Sequence, residues 1–221
     1  DKFVSAGIPV VFTCVANPPL LGSKGIDKPL PGVTGATLYL DPLALLAITQ
    51  MAKPDIKKIG IVHSDDDNAI VFTQECGTKA KQLGLTIVTK QIEKSDPVIP
   101  AAQELLKQGI DAFAIPLDQY YGLRNLEPAK EILAFAAKNK IPIFSFANFD
   151  INGGLLYVGP EFDHNGTLAA KQVVSILKDG KKPQDLPILK QEELKIFVDK
   201  AVAKQLGITL PPKLLQIAKD R

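Results

Sequence analysis

Short apolar runs rich in Val, Ile and Phe alternate along this chain with longer segments in which apolar residues recur with a helical period. The runs lie at 8–15, 58–63, 85–88, 112–117 and 141–146, and the helical patterns between them lie at 42–51, 68–83, 97–108 and 128–139. Because the runs are continuously apolar, they predict strands covered on both faces. Strand–helix–strand repetition with short connections predicts an α/β fold with right-handed crossovers and a parallel sheet.

The last third of the chain continues this rhythm with shorter elements. Its predicted strands lie at 155–158 and 194–198, and its predicted helices at 165–177, 200–206 and 212–218. Two segments, 17–35 and 147–154, are rich in turn-forming residues and lack periodicity. The strand at 8–15 comes almost at the start and needs neighbours in its sheet, which leads us to expect that an N-terminal part of the fold is missing.

Composition narrows the functional classes. The net charge of +2 and a charged fraction of 23% argue against a nucleic-acid surface, which requires a clustered basic face. No apolar run approaches the length of about 18 residues that a membrane-spanning helix needs, so no direct membrane span is expected. Cys14 and Cys76 are both expected to be small buried apolar residues, and a disulfide between them stays open.

The common catalytic motifs are absent from the chain. It contains no phosphate-binding loop, no dinucleotide-binding glycine pattern, no H-E-x-x-H and no G-x-S-x-G. His63 ends a predicted strand, where local hydrogen bonding is expected more than a role as general base. We therefore expect a protein that is not an enzyme and that has no cofactor and no metal site.

Polar and aromatic side chains follow three of the predicted strands. Asp65-Asp66-Asp67-Asn68 follows the strand at 58–63, Asp118 with Tyr120 follows 112–117, and Phe146 with Asn148 ends 141–146. Helix capping explains part of the acidic run, and a ligand ammonium or a divalent cation would explain the rest. Because open α/β sheets bind ligands at the carboxyl ends of their strands, these residues predict a ligand site.

Several strings, taken in order, resemble the ABC-transporter substrate-binding family that includes binders of tryptophan and other amino-acid-like solutes. They are Ile8–Phe12, Asn17-Pro18, Pro31–Gly35, Lys57–Ile61, Ile110–Ala112 with Asp118, Ile141–Phe144, Gly153–Leu155, Asn165-Gly166, Gly180–Pro183, Leu186-Pro187, Leu206–Ile208 and Pro211. The chain departs from the family pattern at Asn17, where the family has Asp, and at His63, where it has Tyr. These departures leave the ligand identity open.

The resemblance implies a type I periplasmic-binding-protein fold with Rossmann-like parallel sheets in two lobes. Residues 1–36 and 153–188 would form a first lobe, incomplete because family members have about two more βα units before the strand at 8–15. Residues 37–152 and 189–221 would form the second lobe. The ligand would bind in the cleft between the lobes, which would close about a hinge.

The implied function is that of the solute-binding component of an ABC importer, with a small amino-acid-like or other amine-bearing ligand. Asp118 and one of Asp65–Asp67 would pair with the ammonium, Ser64 and Asn68 would form hydrogen bonds, and Tyr120 and Phe146 would supply apolar contact. The expected ligand residues are Asn17, Ser64, Asp67, Asn68, Asp118, Tyr120, Phe146 and Asn148. An ABC permease is the implied partner, and the implied location is periplasmic or extracellular, associated with the membrane as a lipoprotein.

Two alternatives stay open. The same fold serves as a ligand-sensing domain in receptors and regulators. A carboxylate cluster after one strand and Asp118 after a later one also resembles a receiver-type phosphoacceptor domain with a Mg²⁺ site. Receiver domains need a Lys at the end of the fifth strand, and Phe144-Ser145-Phe146 offers none.

Overall fold

The computed structural model describes residues 2–221, which divide into two compact units. The first unit contains residues up to Leu40 together with 160–194, and the second contains 41–159 and 195–221. The boundaries therefore fall after Leu40, Gly159 and Leu194, rather than after 36, 152 and 188 as expected. The sheets explain the shift, because the strand that ends at Gly159 pairs within the second unit and the one at 189–190 pairs within the first.

The strands and helices follow the predicted alternation. The strands are β1 (Val10–Val15), β2 (Val33–Thr37), β3 (Lys58–His63), β4 (Thr86–Gln91), β5 (Ala112–Ile115), β6 (Ile143–Ser145), β7 (Leu156–Gly159), β8 (Leu189–Lys190), β9 (Lys195–Val198) and β10 (Lys219–Asp220). The helices are α1 (Lys2–Ser5), α2 (Pro42–Ala52), α3 (Asp67–Ala80), α4 (Val98–Lys107), α5 (Leu123–Lys138), α6 (Phe162–Leu177), α7 (Lys200–Leu206) and α8 (Pro212–Ile217). No helix within residues 2–221 is long and apolar enough to cross a bilayer.

The first unit is built on a parallel sheet of order β1-β2-β8, against which α6 packs. The strand β2 lies inside the segment expected to be irregular, and its pairing with β1 supplies the neighbour that the sequence did not reveal. Gly35 allows this pairing, because a Cβ there would lie 2.3 Å from the Phe12 carbonyl oxygen.

Two expectations about β1 are wrong. As an edge strand of its sheet it is only half-buried, and Thr13 and Cys14 are exposed. Cys14 is therefore not a buried apolar residue, whereas Cys76 on α3 is buried as predicted. Both thiols are free.

The second unit contains a sheet of order β10-β9-β7-β6-β5-β3-β4. Strands β3 to β7 pair in parallel as predicted, but β9 runs antiparallel to β7. On one face, α4 and α5 cover a core that includes Phe113 and Ile143, and burying such a side chain contributes about 1.5–3 kcal/mol. Because β3, β5 and β6 are adjacent and parallel, their carboxyl ends lie side by side at one edge of the sheet.

Candidate functional site

Asp118 lies at this edge, just past β5, and joins the ends of two strands. Its Oδ2 accepts a hydrogen bond from the Ser64 backbone N–H (2.6 Å). Its Oδ1 accepts from the Ser64 hydroxyl (2.8 Å) and from the Tyr120 backbone N–H (2.9 Å). Asp118 is only 2% exposed and Ser64 is fully buried. The carboxylate thus locks the end of β3 to the loop after β5, and Oδ2 keeps one lone pair for a further donor.

The acidic run after β3 divides into one capping residue and two exposed ones. Asp66 caps α3, because its carboxylate accepts from the backbone N–H groups of Asn68 (3.1 Å) and Ala69 (3.4 Å). It also lies 3.5 Å from the Lys94 ammonium. Asp65 and the predicted ligand residue Asp67 are exposed, and Asn68 is half-buried. Capping therefore accounts for only one of the three carboxylates.

Aromatic rings pack beneath the same edge. Phe146, which follows β6, is buried and meets Phe72 of α3 edge to face, with ring centroids 5.8 Å apart. Tyr120 is also buried, and its hydroxyl donates to the Asp96 carbonyl (2.7 Å). Phe72 was not predicted as a site residue, although its position one turn into the helix that starts at this edge was a usable signal. Phe72 stays half-buried, whereas Tyr120 is enclosed by protein.

Two predicted asparagines carry a buried acceptor without a donor. In the second unit, Asn148 donates from Nδ2 to the Gly159 carbonyl (2.9 Å), while its Oδ1 is buried and has no partner within residues 2–221. In the first unit, Asn17 follows β1, and its Oδ1 is also buried without a hydrogen-bond partner within residues 2–221. Buried polar atoms are nearly always paired in folded proteins, so such acceptors indicate a missing donor.

A third asparagine, Asn165, organises the carboxyl-end edge of the first unit. Its Oδ1 accepts from the Thr13 hydroxyl (2.6 Å) and the Cys14 backbone N–H (3.2 Å), and its Nδ2 donates to the Thr37 carbonyl (2.9 Å). It ties the ends of β1 and β2 to α6. The sequence offered only the weak Asn165-Gly166 match for this residue, so its structural role was missed.

Two buried side chains near Asp118, Tyr121 and His63, form hydrogen bonds to neighbouring backbone carbonyls. Burial and the nearby Asp118 carboxylate raise the pKa of the Tyr121 phenol well above its ordinary value, and the hydroxyl donates to the Val62 carbonyl (2.8 Å). His63 is buried, and its Nδ1 lies 2.8 Å from the Ser64 carbonyl. Nδ1 is therefore the protonated nitrogen, since a carbonyl can only accept. The local hydrogen bond expected for His63 is confirmed.

The chain is similar in sequence to a family of transport proteins and to a curated relative. A family model described as "ABC transporter substrate binding protein" matches residues 2–221. A curated relative, the "Tyrosine-binding protein" of Clostridioides difficile (strain R20291), is 26% identical over 204 residues. That match covers 91% of this chain but only 57% of the relative, so the chain spans little more than half of the relative's length.

Solved structures share the fold. A conserved domain protein from Vibrio cholerae superimposes with a TM-score of 0.84 at 25% identity, over 96% of this chain and 71% of its own. The ABC domain from Streptococcus pneumonia in complex with L-Trp gives a TM-score of 0.81 at 24% identity, over 96% and 73% of the two chains. These likenesses confirm the predicted α/β fold of the type I periplasmic binding proteins. Because the family model matches every described residue, the chain belongs to the ABC transporter substrate binding protein family.

Proposed function

We propose that this protein binds a free amino acid with an aromatic or other apolar side chain and delivers it to an ABC importer. Membership of the substrate-binding family supports solute binding as the general role. The 26% identical relative is described as tyrosine-binding, which favours an aromatic amino acid as the solute. An ABC permease is the proposed partner, and the proposed location is periplasmic or extracellular, at the membrane surface.

The unpaired Oδ1 of Asn148 is the observation that carries the proposal. It lies three residues past Ser145, which pairs with Ile115 in β5, and Asp118 lies three residues past Ile115. An ammonium group has three donors and needs acceptors that converge on it. We propose that the ligand ammonium donates to Asn148 Oδ1 and to the free lone pair of Asp118 Oδ2.

The remaining predicted residues take supporting roles in this proposal. The exposed Asp67 adds negative charge to the edge, and Asn68 and Ser64 supply hydrogen bonds. Phe72 and Phe146 face the ligand side chain, with Tyr120 packed behind the Asp118 loop. In the first unit, we propose Asn17 as a ligand contact, because its buried Oδ1 also lacks a donor.

Calorimetric titration with the twenty amino acids, tyramine and 3-(4-hydroxyphenyl)propionate tests this proposal. Tyrosine or another aromatic amino acid is expected to bind, and the propionate, which lacks the amine, is expected to bind far more weakly. Asp118→Asn should weaken binding about 10- to 100-fold, the value of a charge-assisted hydrogen bond. The matched control is Asp55→Asn, an exposed carboxylate paired with Lys53 near the start of β3.

Two results would contradict the proposal. If no amino acid bound to the folded protein, the solute class would be wrong. If the deaminated analogue bound as tightly as tyrosine, the ammonium roles of Asp118 and Asn148 would be wrong even though an aromatic ligand was correct.

A further inference from the structure

A cavity in the second unit lies at the opposite edge of the sheet from Asp118. Its volume is about 440 Å³, within the range of small-molecule sites. It is bounded by α5, α7 and the segments that lead into β6 and β7. Its walls include the apolar side chains of Leu133, Ile141, Ile151 and Val202. No Asp or Glu is among the residues that line it.

Lys140, at the rim of this cavity, occupies a backbone position that disfavours it. Its φ is +56°, in the left-handed region, directly after the last turn of α5. The Lys140 N–H donates to the Ala137 carbonyl (3.1 Å), and the Ile141 N–H donates to the Ala136 carbonyl (3.0 Å). Glycine is the usual residue at this point of a helix terminus, because any Cβ there is strained. Because strained backbone positions cluster at ligand sites, the Lys140 side chain is a candidate ligand contact.

The Lys140 ammonium has no hydrogen-bond or ion-pair partner within residues 2–221. A neighbouring cavity of about 450 Å³ shares Lys140 and contains two carboxylates. Neither carboxylate forms an ion pair with Lys140: Asp55 pairs with Lys53 at 2.7 Å, and Asp111 accepts from the Lys57 (2.8 Å) and Lys58 (2.7 Å) backbone N–H groups. Lys140 is thus a free cation beside an apolar cavity.

A second lysine strengthens the positive field of the rim. Lys130 also lines the cavity, and its ammonium donates to the Asn125 carbonyl (2.9 Å), a neutral partner that leaves its charge uncompensated. The cavity therefore combines an apolar wall with two cations and no anion.

We propose that this cavity binds a small organic anion with an apolar body, such as a medium-chain carboxylate. The Lys140 ammonium pairs with the carboxylate, and the apolar wall between α5 and α7 covers the chain. The site is separate from the proposed solute site, because it lies at the amino-terminal edge of the strands.

Calorimetric titration with octanoate tests the proposal, with octylammonium as the probe of equal length and opposite charge and acetate as the probe without a chain. Octanoate should bind saturably at one site, and the other two should not. Lys140→Gly should weaken octanoate binding about fivefold while leaving the Tm unchanged or higher, because glycine suits the left-handed position. Lys140→Arg should retain binding.

Two further variants separate the role of the cavity from a general effect of lysine charge. One fills the cavity without changing a charge, and the other removes a lysine charge away from the cavity. Ala134 lines the cavity from an exposed position on α5, so Ala134→Phe should fill the cavity and abolish octanoate binding without unfolding the protein. Lys178→Gln, at an exposed lysine of the first unit, should bind octanoate as the wild type does. The proposal is overturned if octanoate does not bind, if octylammonium binds equally, or if Lys140→Gly and Ala134→Phe bind octanoate with unchanged affinity.

Discussion

Removing the Asp118 carboxylate should destabilise the second unit through the backbone groups that it leaves unpaired. In Asp118→Ala, the backbone N–H groups of Ser64 and Tyr120 lose their acceptor, and so does the Ser64 hydroxyl. Each orphaned buried N–H costs about 1–3 kcal/mol, or about 2–6 kcal/mol together. Because the variant also loses the cost of burying a carboxylate, we expect a decrease of about 2–4 kcal/mol in the free energy of unfolding.

Asp118→Asn should fall between the alanine variant and the wild type. An amide has one acceptor oxygen, which can face either the Ser64 N–H or the Tyr120 N–H, so one backbone donor stays unpaired in each orientation. The expected decrease is about 1–3 kcal/mol. The order alanine, asparagine, wild type is therefore a consequence of the hydrogen-bond geometry and not only of lost charge.

Urea denaturation followed by far-UV circular dichroism measures these changes, with Asp55→Ala as the control at an exposed, paired carboxylate. Ser64→Ala, alone and combined with Asp118→Ala, adds a double-mutant cycle, and a coupling of about 0.5–3 kcal/mol is expected for residues in direct contact. An alanine variant with the urea midpoint of the wild type, or no coupling to Ser64, would refute the view that this carboxylate joins the two strand ends.

Three further predictions concern other parts of the chain. A thiol reagent should modify only Cys14 in the native protein and both cysteines after unfolding. Cys14 is exposed, whereas Cys76 is buried and burial raises the pKa of its thiol far above the ordinary range. Mass spectrometry of the labelled protein identifies the modified residue. Burial raises the pKa of the Tyr121 phenol. Above a pH of about 10, the phenol therefore loses its proton in the unfolded chain but keeps it in the native state, which favours unfolding. Stability should therefore fall as pH rises through 10, and less steeply in Tyr121→Phe, as urea midpoints between about pH 8 and 11 will show. Gly35→Ala should lower the Tm, because its Cβ would meet the Phe12 carbonyl oxygen.

The fold was largely predictable because the central strands can be identified from their own sequences, without knowledge of their partners. Strands β3, β5 and β6 are continuous apolar runs, as expected for strands buried on both faces. Strand β2, Val-Thr-Gly-Ala-Thr, has no such run and forms because β1 and β8 pair with it on either side. The antiparallel direction of β9 also depends on its partner β7, so no local pattern could reveal it.

The site was predictable in its residue types but not in its pairings. Residues that follow parallel strands share an edge, which allowed Ser64, Asp118 and Asn148 to be expected together. The sequence could not show that Asp118 turns inward to the backbone and hydroxyl of Ser64, which leaves one lone pair of Oδ2 for a ligand. That choice depends on the spacing between β3 and β5, which only the folded sheet sets.

The division between satisfied and unsatisfied groups at this edge bears on ligand selectivity. Asp66 and His63 already form hydrogen bonds with neighbouring backbone groups, so a ligand that replaced those bonds would gain little binding free energy. The Oδ1 of Asn148 has none, and a buried acceptor without a donor costs about 1–3 kcal/mol. A ligand that donates there recovers this free energy, whereas an analogue of the same shape without a donor leaves the cost in place. Discrimination by this edge should therefore be sharper against loss of the ligand's donor than against a change of its apolar side chain.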